Sequence, residues 1–63
     1  MTQKELLYVE DAIGHEKVLI DNIKDYINCL QEEDLIEFMQ KELRNHEKIK
    51  NDFIKLLESE SNE

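Results

Sequence analysis

Proline is absent from the chain and glycine occurs once, as Gly14, while charged residues make up 38% of the 63 positions. That composition points to helices, because the two residues that most often interrupt them are nearly missing. Cysteine also occurs once, so no internal disulfide can staple the fold. The lone Cys29 fits a free thiol in a reducing compartment better than an intersubunit disulfide. Long apolar runs are missing too. None approaches the roughly 18 residues that span a bilayer, and the opening "MTQKELLYVED" lacks the apolar core of a signal peptide. A cytoplasmic location is the expectation. Basic residues number 8 against 16 acidic ones, for a net charge of −8. With no basic patch to neutralise phosphates, nucleic acid and anionic membranes are excluded as expected partners. The acidic balance fits solubility, and it suits cations or basic partners. Gly-rich phosphate loops, nucleophile triads and zinc-finger cysteine patterns are likewise missing. No small-molecule substrate is implied, and the motifs give no support to catalysis.

What is present is a heptad pattern. Leu6, Val9, Ile13, Glu16, Ile20, Ile23, Ile27 and Leu30 recur at alternating spacings of three and four. These spacings put them on one face of a helix. Ala12, Leu19, Tyr8 and Tyr26 widen one flank. Leu35, Met39, Glu42, His46, Ile49, Phe53 and Leu56 form a second seam, flanked by Phe38, Leu43, Ile54 and Leu57. Thr2 followed by Glu5 reads as a capping box. The break is expected near Leu30 to Glu32, with Glu32, Glu33 and Asp34 suited to a helix N-terminus. The expectation is a single domain over residues 1–63. Its helices cover about 3–29 and about 33–58, and an acidic tail, 59–63, frays.

A short connection between two helices of this length makes an antiparallel hairpin. A chain this small is marginal alone, and one hairpin leaves part of each wide seam wet. The expected fold is therefore all-α: a helical hairpin that dimerises into a four-helix bundle. Leu6, Val9, Ile13, Ile20, Ile23, Ile27, Leu35, Met39, Ile49, Phe53 and Leu56 are expected to form the dimer core.

Three ionisable residues interrupt the seams. Glu16 sits near the centre of the first apolar arc, and Glu42 and His46 bracket the centre of the second. About fifteen residues separate Glu16 and His46 from the turn on either side, so both come to one height. Burying a charge costs several kcal/mol unless it is paired. Three compensations are open. A metal can take the groups as ligands, a Glu16–His46 ion pair can fix register, or the face can be wet. The metal reading leads, since a twofold axis brings four Glu and two His together. That is the donor set of di-iron and di-manganese carboxylate bundles, and it suits Fe, Mn or Zn. Asp11 and His15 form another i, i+4 pair. Like Glu47, which is expected to point outward, they are accessory candidates only. Gly14 is expected to weaken its helix or to admit a close backbone neighbour.

"GHEKVLIDNIK" and "NHEKIKNDFIK" form a weak internal repeat, Gly14 to Lys24 and Asn45 to Lys55. The stretches "ELLYVEDAIGHEKVLI" and "FMQKELRNHEKIKNDFIKLL" resemble the short helical-hairpin proteins of spore-forming Firmicutes, related to spore coat protein F and the ferritin-like superfamily. The resemblance covers most of residues 5 to 57. It implies a ferritin-like hairpin that dimerises into a four-helix bundle, with spore association as an alternative location. It also implies ligands of one Glu on the first helix and Glu plus His on the second, parts that only Glu16, Glu42 and His46 can take. The pattern departs from such bundles in one respect: they carry Glu-x-x-His, and here the spacing is Glu42-x-x-x-His46. The functional expectation is a small metal-binding homodimer. The alternative is a structural or interaction module without metal.

Overall fold

The structure, a computed structural model, describes residues 1–61. It consists of two α-helices, α1 (Gln3–Cys29) and α2 (Glu33–Ser61), with no strand among the described residues. α1 begins where the chain supplies a cap. The Thr2 hydroxyl accepts from the Glu5 backbone N–H at 3.1 Å, and the Glu5 carboxylate accepts from the Thr2 N–H at 2.7 Å. Two of the four orphan donors of the first turn are thereby satisfied. Leu30 ends α1 in extended backbone, its N–H reaching back to Tyr26 O at 3.1 Å. Glu33 and Asp34 then open α2, where carboxylates oppose the positive end of the helix dipole. α2 runs on to Ser61, past the helix end near 58 that its apolar spacing suggests. There Glu60 meets the N-terminal ammonium of Met1 at 3.2 Å. Positions 62 and 63 of the expected frayed tail lie outside the described residues.

That terminal pair and a Glu16–His46 contact at mid-height show the helices to be antiparallel. The hairpin measures 47 × 15 × 11 Å between its Cα extremes. In heptad letters, α1 turns its a residues (Leu6, Ile13, Ile20, Ile27) and d residues (Val9, Glu16, Ile23, Leu30) toward α2. Ile13, Ile20 and Ile23 are the buried core, 4–8% exposed. Each contributes roughly 1.5–3 kcal/mol by leaving water.

The seam of α2 differs from the expected one by a column. Ile36, Met39, Leu43, His46, Lys50, Phe53 and Leu57 are all half-buried toward α1. Met39, His46 and Phe53 belong to both spacings. Leu35, Ile49 and Leu56 instead stand one position earlier, as exposed g residues at 46%, 39% and 42%. The apolar arc of α2 is three columns wide, and one partner helix covers only two. Facing the a column inward puts Leu43 against α1 and leaves Glu42 at the edge. The compromise is Lys50, whose four-carbon stem can pack while its ammonium reaches water. Gly14 admits no close neighbour within the chain: a Cβ there meets nothing within 4 Å.

Candidate functional site

Glu16 and His46 occupy d positions on facing helices, which is why they meet. His46 Nδ1 lies 2.7 Å from Glu16 Oε2. One turn before His46, Glu42 brings its Oε2 to 3.7 Å from His46 Nε2. The side chains of Glu16, His46 and Glu42 are 17%, 22% and 34% exposed. The imidazole thus stands between two carboxylates on the hairpin's long seam, partly shielded from water. An ionised carboxylate only accepts, so the short contact requires a proton on Nδ1. The other ring nitrogen, Nε2, faces Glu42 at a distance too long for a hydrogen bond. No buried side-chain nitrogen or oxygen among the described residues lacks a partner.

All three residues read from the sequence are therefore brought together, with Glu42 on the flank and not at the seam's centre. The accessory candidates are not. Asp11 and His15 are exposed, form no ion pair with each other and do not reach the triad. Glu47 is half-buried and makes no ion pair with the triad. Lys50 lies on the alternative spacing 36-39-43-46-50-53-57, which is as regular as the expected one. Its charge hid that alternative.

The donor geometry bears directly on metal binding. The two ring nitrogens of an imidazole point away from one another, and here each faces a different carboxylate. A single ion can take only one of them. Two ligands on a tetrahedral ion stand about 3.4 Å apart, so the 2.7 Å Glu16–His46 contact has the dimensions of a hydrogen bond. Among the described residues, no group of three or more His, Cys, Asp or Glu is arranged to hold a metal ion. In this arrangement the triad does not fit a ferritin-like metal centre.

Comparison with models of protein families, with curated proteins and with solved structures finds no significant match to this chain. No helix among the described residues is long and apolar enough to cross a membrane.

Proposed function

We propose that the chain is a structural interaction module: a helical hairpin that pairs with a second copy into a four-helix bundle. In it Glu16, His46 and Glu42 fix how the two helices meet. One observation carries this reading. His46 Nδ1 lies 2.7 Å from Glu16 Oε2 across the two helices, with the Glu42 carboxylate 3.7 Å from the other ring nitrogen, so the polar groups in the seam face one another. A single polar pairing in an apolar seam sets register, because any slip leaves charges unpaired. The shallow core supports the second copy, since Ile13, Ile20 and Ile23 are the only buried side chains among the described residues and small folds commonly need oligomerisation to be stable. The metal-binding reading, with Fe, Mn or Zn at the same three residues, requires the ring to leave one carboxylate and the bundle to reorganise around an ion.

Thermal melting separates the two. Wild type is compared with the triple variant Glu16→Leu, Glu42→Leu, His46→Leu, each with and without Fe(II), Mn(II) and Zn(II). The structural role predicts that the variant melts at or above the wild type, because an apolar replacement of an ion-pair network is neutral or stabilising, and that metal shifts neither. A rise confined to the wild type, growing as RT ln(1 + [metal]/Kd), would overturn the structural role in favour of a metal site. An equal rise in both assigns the ion to the acidic surface and leaves the structural role standing.

A further inference from the structure

The two broad faces of the hairpin are chemically unlike. In an antiparallel pair of helices the g and c columns of both lie on one side and the e and b columns on the other. The chain carries ten exposed large apolar side chains among its described residues. Seven of them are in the g and c columns, whereas Leu7 alone stands in the e and b columns. The e and b side presents Glu10, Lys17, Lys24, Glu37, Arg44 and Glu58, all exposed. On the g and c side the only acidic groups along both helices from Tyr8 to Leu56 are Glu42 and Asp52.

We propose that a second copy docks on the broad face formed by Tyr8, Leu19 and Tyr26 of α1 with Leu35, Phe38 and Ile49 of α2. The inference rests on the self-association proposed above and names its surface. Depletion of charge beneath aromatic and aliphatic side chains is what marks the centre of a protein interface. Both tyrosines and Phe38 are more than half exposed, at 61%, 54% and 58%. These residues lie on the hairpin's broad side, which as a whole measures 47 by 15 Å, about 700 Å², close to the roughly 800 Å² that each partner contributes to a standard interface. A basic partner would be drawn to the acidic surface elsewhere. This charge-poor face suits a second copy, which offers the same stripe over the same length and, despite its net charge of −8, brings few carboxylates to the contact.

Tyr8 and Tyr26 are the chain's two tyrosines and it has no tryptophan, so intrinsic fluorescence reports on this face alone. Acrylamide quenching is measured across the concentration range in which sedimentation shows association. The expected result is a several-fold fall in quenching as the dimer forms. Phe38→Glu should weaken association by about a hundredfold or more, while Val18→Glu, on the outer edge at 61% exposure, leaves it unchanged. A dimer whose tyrosines stay as open to acrylamide as in the dissociated chain overturns this surface but not self-association. So does dissociation by Val18→Glu with Phe38→Glu still paired. A folded monomer at every concentration overturns both. Should Phe38→Glu fail to fold, the wild-type quenching still decides.

Discussion

α1 and α2 are nearly equal in length, 27 and 29 residues, and each carries a regular heptad seam, yet they spend their apolar residues differently. α1 puts its isoleucines inward and supplies Ile13, Ile20 and Ile23, the buried core of the hairpin. Among the described residues α2 has no side chain buried to that degree, and Leu35, Phe38, Ile49 and Leu56 stay exposed on its flank. The seam it turns to α1 includes His46 and Lys50. Apolar content therefore does not decide which residues are buried. The width of the arc does, because a helix with three apolar columns keeps one outside whichever way it turns. That remaining column leaves Leu35, Ile49 and Leu56 exposed on the hairpin.

The comparison breaks most visibly at Ile20, which is 4% exposed. Ile20→Asp places an unpaired charge between the helices and should cost about 3–5 kcal/mol, enough to unfold a domain of ordinary small-protein stability. Ile49→Asp, on the exposed column of α2, should keep far more helix. Far-UV circular dichroism of both variants under one condition is the check, and equal helix loss would erase the contrast drawn between the two helices.

A double-mutant cycle across the triad sharpens the same comparison where α1 depends on polarity in α2. His46→Leu leaves Glu16 without its partner and should destabilise by about 1–3 kcal/mol, toward the lower end because the pair is partly solvated. Adding Glu16→Leu should restore stability to within about 1 kcal/mol of wild type. Urea denaturation measures the four corners. Additive losses would mean that the 2.7 Å contact carries no coupling.

How much of this was legible beforehand differs between the helices. The period of α1 points one way, because Leu6 through Leu30 form a seam with no apolar rival of equal regularity. The capping box was equally plain, since Thr2 and Glu5 need only each other. The all-helical hairpin follows from these and from a connection short enough to force α2 back along α1. α2 offered two seams that share Met39, His46 and Phe53. Choosing between them depends on whether Lys50 or Glu42 turns inward, and that depends on how long each side chain is and how near it lies to water, which periodicity does not encode. The triad was legible as residues and as height. That its ring nitrogens face separate carboxylates was not, because ring orientation is set by packing.

Smaller effects belong to the start of α1. Thr2→Ala removes the cap and should cost about 1 kcal/mol. The Glu5 carboxyl is held below its ordinary value by the Thr2 backbone N–H and then by the Thr2 side chain. Its folded value is thus below its unfolded one. The contribution is present above the unfolded value of about 4.3 and is lost as pH falls through the folded value. Amide chemical shifts of Gln3 to Leu6 should therefore move together on acidification below about pH 4, and Glu5→Gln should abolish that movement. If the shifts are the same with and without the carboxyl, the cap has no electrostatic part. Smallest of all, Gly14→Ala should stabilise by about 0.5–1 kcal/mol, because the new methyl meets no atom within 4 Å and helical glycine is entropically costly. A lower melting temperature would point instead to a close neighbour at Gly14 in the assembly.

Sedimentation equilibrium of the unmodified chain at micromolar concentration, with helix content followed on the same samples, tests most directly whether the hairpin completes its core with a second copy. The account predicts about twice the 7.6 kDa chain mass, with dissociation and loss of helix coupled on dilution. A fully helical monomer of 7.6 kDa across that range would contradict it.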